Sequence, residues 1–175
     1  DLSVFINGSY GNKVYNYLSM KLTHMNSPWT NQLNAVNGRA QLVPINPNKV
    51  YEDGTMWYND VSNVMVANPG ASIPRATIND PNDNDRISDR YIEDGSYIRL
   101  KNISLGYTFP KKTIDKLGLS NLRIYANIQN LLTITGYDGY DPEIGASTSS
   151  VNVYGLDNGR YPSPTVYSFG LNVSF

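Results

Sequence analysis

Apolar and polar positions alternate strictly along residues 165–175. One parity carries Tyr167, Phe169, Leu171, Val173 and Phe175, and the other carries Ser168, Gly170, Asn172 and Ser174. A period of two over about ten residues is typical of a membrane-spanning β-strand, because strands of soluble proteins are usually about five or six residues long. The pattern predicts a strand with its apolar side toward lipid. A half-buried strand of a soluble protein is the alternative.

Three further segments alternate in the same way, so four long strands are predicted, at about residues 1–10, 96–109, 122–134 and 164–175. The third of these places Leu122, Ile124, Ala126, Ile128 and Leu132 on one face. The alternation of the second slips near Leu100 and Lys101, which predicts a β-bulge or the membrane edge there. In the first strand, Phe5 is the exception to the pattern.

The connections between these strands differ in length. A short link at 110–121 is predicted to form one or two helical turns that end at Gly118, whereas 11–95 and 135–163 are long. Outer-membrane barrels alternate short periplasmic turns with long extracellular loops. We therefore expect 110–121 on the periplasmic side and the two long connections, as outer loops, on the outside.

The first long connection contains one further periodic segment. Val14, Leu18, Leu22 and Met25 recur at helical spacing and predict an amphipathic helix between Asn12 and Met25. Such a helix would lie on the rim of a barrel or pack within a soluble domain. Residues 26–87 are rich in Asn, Pro and Gly, and they are predicted to form irregular loop.

Four strands are too few to close a barrel. The smallest membrane barrels have about eight strands, and each unsatisfied backbone group in lipid costs several kcal/mol. The strand count therefore predicts that this chain completes a larger barrel together with other polypeptide.

Composition narrows the chemistry. The chain has 14 Tyr, 22 Asn and only 17% charged residues, which favours strands joined by polar loops. Without Cys it has no disulfide, thiolate metal site or thiol nucleophile, and His24, its one histidine, excludes a multi-histidine metal site. A net charge of -1 with no basic run gives no reason to expect nucleic acid, and no apolar stretch approaches the roughly 20 residues of a membrane helix.

The acidic run at 80–86 is a candidate calcium loop. Asp80, Asn82 and Asn84 alternate as the oxygen ligands of such loops do. However, Asp85 stands where a glycine is expected, and Tyr91 stands where the bidentate Glu is expected. A solvated turn is the competing interpretation.

Aromatic residues of the outer loops are expected to be exposed and are candidate substrate contacts, since they could stack on sugar faces or hold a peptide. These residues are Trp29, Trp57, Tyr58, Tyr137, Tyr140 and Tyr154. The competing interpretation is that they pack the loops, form an interfacial girdle or contact a partner protein.

Several carboxylates are spaced so that two of them could serve as the acid and base of a glycosidase. They are Glu93, Asp94, Asp138, Asp141 and Glu143. Their surroundings, Glu-Asp-Gly-Ser and Tyr-Asp-Gly-Tyr-Asp-Pro, are typical of turns, in which Asp forms local hydrogen bonds. A structural role is therefore favoured over catalysis.

Several motifs in order resemble the SusC/RagA family of TonB-dependent outer-membrane transporters. They are the 88–107 segment SDRYIEDGSYIRLKNISLGY, the 122–132 segment LRIYANIQNLL, the 139–143 segment GYDPE, and YPSPT at 161–165 leading into FGLNVSF at 169–175. Residues 7–16 also resemble sequences of the family. The resemblance covers nearly the whole chain and is weakest over 26–87.

The resemblance implies a fold and a function. The fold is all-β: the chain would supply the C-terminal four strands of a 22-stranded transmembrane antiparallel β-barrel with long extracellular loops, closed inside by a plug. The function would be active import, not enzymatic catalysis, of oligosaccharides or peptides through the outer membrane of a Gram-negative bacterium of the Bacteroidetes type. A SusD-like surface lipoprotein would form the lid and the TonB complex would supply the energy. No cofactor is implied.

The same resemblance gives the terminal aromatics a role. Phe169 and Phe175 would be part of the signal that the barrel-assembly machinery recognises, and an aromatic at the membrane interface is the alternative.

Two other functions of the chain stay open at this point. One is a soluble β-rich module that binds glycans, and the other is an envelope glycosidase.

Overall fold

The computed structural model of the chain describes residues 1–77, 79–144 and 154–175. Residue 78, in the predicted outer loop 11–95, and residues 145–153, in the predicted outer loop 135–163, lie outside the described residues. The chain divides into two compact units. The first, the sheet unit, comprises Asp1–Asn16 and Asp89–Phe175, and the second, the loop unit, is Tyr17–Ser88.

The described residues form four long strands together with several short strands, short helices and 3₁₀ turns. The strands are β1 Leu2–Ser9, β2 Lys13–Asn16, β3 Leu42–Pro44, β4 Val64–Val66, β5 Ile92–Asp94, β6 Tyr97–Thr108, β7 Asn121–Thr135, β8 Leu156–Asp157 and β9 Val166–Ser174. The α-helices are α1 Tyr17–Thr23 and α2 Lys111–Ile114, and 3₁₀ turns occur at Asn34–Gly38, Trp57–Asn59, Asp89–Tyr91 and Asp115–Leu117. Among the described residues, none of these helices has the length and apolar character needed to cross a membrane.

Four long antiparallel strands form the main sheet, in the order β1-β6-β7-β9. They lie where the alternation predicts strands. The pairing register brings apolar positions of all four strands into common rows, because residues that face each other across an antiparallel pair point to the same side of the sheet. One such row is Val4, Ile103, Ile128 and Tyr167, and the next is Leu2, Leu105, Ala126 and Phe169.

The predicted irregularity near Lys101 is a β-bulge. Leu100 pairs with Leu132 and Asn102 pairs with Gln129, so two residues of β7 oppose the single Lys101. One of the two, Asn130, has φ = 52°, the left-handed conformation that Asn tolerates better than most residues. The pairing of β1 with β6 also shifts at this level. The bulge restores the apolar row beyond it, where Leu100 faces Leu132.

The short link between β6 and β7 has the predicted helical form. It consists of α2 and one 3₁₀ turn, and Gly118 ends it with φ = 71°. Glycine adopts this left-handed conformation without a steric penalty, which is why it so often follows the last helical residue. Ile114, inside the turn, is fully buried and anchors the link to the sheet unit.

The predicted helix between Asn12 and Met25 is correct only in its second half. Residues Lys13–Asn16 form β2, which pairs antiparallel with β5 and parallel with β8, and the helix begins at Tyr17. Val14 is fully buried in this small sheet. Because β2 is paired on both edges, these tertiary contacts decide its conformation. The helical spacing of Val14 and Leu18 is a local pattern that does not contain them.

The loop unit has more structure than the prediction of an irregular loop for 26–87 allows. β3 and β4 form an antiparallel two-stranded ribbon. Side-chain amides connect this ribbon and the segments beside it: Asn63 accepts from the Asn46 N–H at 2.7 Å and donates to the Asn46 carbonyl at 3.1 Å. Asn68 bridges the backbone of Gln41 and Arg39 in the same manner.

Candidate functional site

Four charged side chains form a cluster on the polar side of the main sheet. Arg99 and Lys101 extend from β6, while Asp141 and Glu143 belong to the segment that follows β7. The Arg99 guanidinium donates to Asp141 at 2.5 Å, to Glu143 at 2.8 Å and to the Thr133 hydroxyl at 2.8 Å. Lys101 donates to the other Glu143 oxygen at 2.6 Å. We call these residues the Arg99 cluster.

Burial makes the Arg99 cluster energetically important. Arg99 is only 3% exposed, so the two carboxylates, rather than water, stabilise its positive charge. Burial alone would raise the pKa of Asp141, but hydrogen bonds from the Ser163 N–H and from Arg99 outweigh it and hold that pKa below its ordinary value. Asp141 therefore remains ionised at neutral pH and is not suited to donate a proton.

Three residues of the Arg99 cluster, Lys101, Asp141 and Glu143, line a concave site of about 500 Å³. Its wall also includes Tyr97 and Arg160. Because two cations, Lys101 and Arg160, line the site together with the two carboxylates, the charges offset one another. Such a site can hydrogen-bond a polar ligand but offers no net charge to select an anion or a cation.

The remaining carboxylates of the hydrolase hypothesis also have structural partners. Glu93 accepts from the Asn16 side chain at 2.9 Å and from the Asp138 N–H at 3.1 Å. Hydrogen bonds from Ser96, together with Lys13, lower the pKa of Asp94 to about 2. These contacts connect β2 and β5 with the neighbouring turns and favour the structural interpretation.

The six predicted substrate-contact aromatics are divided between the two units. Trp29, Trp57 and Tyr58 belong to the loop unit, and the other three belong to the sheet unit. Trp29 is 92% exposed, and the Trp57 and Tyr58 rings meet edge to face at 5.7 Å. Tyr140 and Tyr154 are exposed as well. Contact of these exposed rings with a substrate stays a prediction.

Tyr137 differs from the other five aromatics. It is 6% exposed and donates its hydroxyl to Asp157 at 2.6 Å. Burial, followed by the hydrogen bond to Asp157, raises its pKa far above the usual range. The expectation that this ring is exposed is wrong, because the adjacent buried carboxylate requires a donor and the hydroxyl supplies it.

In the acidic loop at 80–86, hydrogen bonds within the protein hold the side chain of Asp80. Asp80 directs its carboxylate inward to His24 at 3.0 Å and to the Asn84 N–H at 2.5 Å and side-chain amide at 2.6 Å. Asn82 donates to Asn84 at 3.1 Å. The oxygens of Asp80 thus serve donors of the protein, and the potential ligand group that the described residues bring together is His24, Asp80 and Asp85. Calcium binding at Asp80, Asn82 and Asn84 stays a prediction.

The loop unit contains a second concave site, of about 830 Å³, which we call the arginine groove. The polar and aromatic residues that line it include Arg39, Gln41, Tyr58, Asn59, Arg75 and Asn79. Among them only Tyr58 is a residue that the sequence pattern singled out. The two arginines lie in segments without periodicity, so no sequence signal indicated that they share a wall.

Both proposed assembly-signal residues lie on or beyond the apolar side of β9. Phe169 is 83% exposed in the row with Ala126, and Phe175 follows the last residue of the strand. Phe175 is 93% exposed. The assembly role stays a prediction.

Comparison with known proteins places the chain among receptors. No family model matches it. It is 33% identical to TonB-dependent receptor P3 of Formosa agariphila, over all of this chain and 15% of the receptor. TonB-dependent receptor P26 of the same organism is 31% identical over the same shares. SusC of Bacteroides thetaiotaomicron is 36% identical over 52% of this chain and 8% of SusC.

Comparison with solved structures shows which fold the chain shares. The RagAB peptide transporter superposes on 99% of this chain, and on 16% of its own, with a TM-score of 0.63 and 18% identity, which shows a shared fold. The chain thus spans about 15% of the length of the relatives it matches. Its sequence relatives show that it belongs to the TonB-dependent receptors, with SusC among them.

Proposed function

We propose that this chain is part of the wall of an outer-membrane importer for oligosaccharides or peptides. In this proposal it supplies the C-terminal four strands of a 22-stranded barrel, with 110–121 as a periplasmic turn and with 11–95 and 135–163 as outer loops. The relatives' names support a receptor that depends on TonB, and they give no support to an enzyme.

The exposed apolar face of the main sheet carries this proposal. Leu2, Leu105, Tyr167 and Phe169 form part of a continuous apolar surface across four strands, and each is more than half exposed. A soluble domain would bury such a surface against a second layer, whereas lipid solvates it. β1 and β9 have one unpaired edge each within the described sheet, and other strands of a barrel would satisfy both edges.

The partners follow from the same proposal. A surface lipoprotein of the SusD type would form the lid. The likeness of the chain to SusC and to the RagAB peptide transporter supports this partner. TonB would supply energy through a plug elsewhere in the receptor. The barrel-assembly machinery would insert the barrel, with Phe169 and Phe175 as part of the signal it reads.

Fractionation and uptake test the proposal in the full-length receptor. We expect the receptor in the outer-membrane fraction, with faster migration in gels before heating than after it. A strain that lacks its gene should lose growth on at least one member of a panel of oligosaccharides and peptides, each supplied as the only carbon source. A receptor that is soluble without detergent would instead support the glycan-binding module and overturn the proposal.

A further inference from the structure

The arginine groove is a built site, because hydrogen bonds fix the backbone that carries its residues. The Asn68 amide donates to the Arg39 carbonyl at 2.9 Å, and the Ala40 N–H donates to the Ile73 carbonyl at 2.8 Å. The Trp57–Asn59 turn positions Tyr58 on another wall. The groove therefore does not need to form when a ligand arrives, which lowers the entropic cost of binding.

The charge of this groove has one sign. Arg39 and Arg75 both line it, and no described carboxylate does. Neither guanidinium forms an ion pair with any described residue. Arg39 donates one N–H to the Val36 carbonyl at 3.3 Å, and most of its donors remain for a ligand. Both side chains are half-buried, and partial burial strengthens their attraction for an anion.

The contrast with the Arg99 cluster indicates what the two arginines recognise. There, Asp141 and Glu143 neutralise Arg99 from within the protein. In the arginine groove, the protein supplies no such counter-charge among the described residues. A planar guanidinium matches the two oxygens of a carboxylate or sulfate in a forked pair of hydrogen bonds.

The neighbours of the arginines favour a sugar as the carrier of the acid groups. Gln41, Asn59 and Asn79 each offer an amide that both donates and accepts, as sugar hydroxyls also do. Tyr58 adds a partly exposed aromatic face with a polar hydroxyl. We propose that the arginine groove binds an anionic oligosaccharide, with Arg39 and Arg75 holding its carboxylate or sulfate groups.

This inference deepens the proposed function and rests on it, since it names the substrate class of an importer. Isothermal titration of the purified full-length receptor in detergent tests it. The probes are tetragalacturonate, a sulfated galactan tetrasaccharide, neutral maltotetraose and tetraglutamate. We expect one or both acidic sugars to bind, and to bind about tenfold more weakly or worse when NaCl rises from 50 to 500 mM (about a threefold shorter screening length).

Arg39→Gln with Arg75→Gln should weaken acidic-sugar binding by about tenfold or more, as expected for the loss of charged hydrogen bonds. Arg86→Gln with Arg90→Gln is the matched control, because it removes the same two positive charges from exposed positions outside the groove, and it should leave affinity unchanged. Preference for tetragalacturonate identifies carboxylates as the recognised groups, and preference for the sulfated probe identifies sulfates.

Three results would overturn the inference: binding of neither acidic sugar, equal or tighter binding of maltotetraose or tetraglutamate, or unchanged affinity in the double variant. Gel migration before and after heating, measured on the same preparation, reports whether the barrel has formed. A folded barrel without acidic-sugar binding therefore contradicts this inference alone, whereas a soluble receptor contradicts the proposed function.

Discussion

The main sheet and the loop unit are stabilised by different kinds of hydrogen bond. In the sheet, backbone groups of β1, β6, β7 and β9 pair in regular ladders, and side chains sort into an apolar and a polar face. In the loop unit, side-chain amides and carboxylates hold the backbone: Asn63 connects Asn46 with Tyr51, and Asp60 accepts from Lys49, Tyr51 and Ser62.

This difference has a consequence for substitutions. A β-ladder tolerates most substitutions that keep apolar residues on the apolar face and polar residues on the polar face, since its hydrogen bonds are made by the backbone. A loop held by individual Asn and Asp side chains loses backbone partners when one of them changes. We therefore expect the sheet unit to be sensitive to charge and polarity, and the loop unit to be sensitive to the identity of single polar residues.

The largest effect should follow from Arg99→Met. This change leaves Asp141 and Glu143 without the buried guanidinium that neutralises them, so the free energy of unfolding should fall by about 3–5 kcal/mol. Denaturant titration of the full-length receptor in detergent measures it. Arg123→Met is the matched control, because its ion pair with Asp1 is more exposed and such pairs contribute about 1 kcal/mol or less. Equal losses in both variants would contradict the importance of burial.

The second prediction compares neighbouring positions on opposite faces of β6. Leu105→Arg places a charge in the apolar row and should cost about 2–4 kcal/mol if that row faces the middle of a bilayer. Ser104→Arg, on the polar face between Ser3 and Asn127, should cost far less. Denaturant titration of both variants in lipid vesicles checks this. A larger loss for Ser104→Arg would reverse the assignment of the faces.

The strands of the main sheet could be predicted from the sequence because their signal is local. A strand that crosses between lipid and a polar interior must alternate at every residue, so ten residues carry enough signal to place it. The bulge at Lys101 was visible for the same reason, as a break in that alternation. The link at 110–121 was visible because Gly118 has a conformation that few other residues adopt.

The sequence failed where structure depends on contacts between distant residues. Asn63 and Asn46 are 17 positions apart, and Asn68 and Arg39 are 29 apart. Nothing in the composition of 26–87 distinguishes these Asn residues from solvated ones. The Arg99 cluster was missed in the same way: Asp141 and Glu143 are visible in the sequence as carboxylates of turns, but their pairing with Arg99 and Lys101 across more than 40 positions depends on the fold.

The third prediction tests the amide contacts directly. Asn63 is 4% exposed, and Asn63→Ala removes its hydrogen bonds to Asn46 and to Tyr51. Protection against hydrogen exchange should fall by about 1–3 kcal/mol in peptides covering 42–66, with the four long strands unchanged. Asn48→Ala is the control, because its side chain is exposed and makes no hydrogen bond among the described residues. An equal loss of protection in the four long strands would contradict a local role for the Asn63 contacts.

The smallest expected effect is a pH dependence confined to the loop at 80–86. Burial alone would raise the pKa of Asp80, but hydrogen bonds from Asn84 and His24 outweigh it and hold the pKa below its ordinary value of about 3.9. A carboxyl whose pKa is lower in the folded state stabilises that state fully above the unfolded pKa. This stabilisation is lost as the pH falls through the folded pKa, so acid should loosen the loop below about pH 4.

Hydrogen-exchange protection factors of peptides covering 79–88, measured between pH 3 and pH 6 in the full-length receptor, check this. Asp80→Asn keeps the size of the side chain but removes the titrating group, so its loop should be less protected at pH 6 and change little with acid. Persistence of the full pH response in Asp80→Asn would contradict its assignment to Asp80. A single buried carboxylate would then no longer explain why acid loosens this loop.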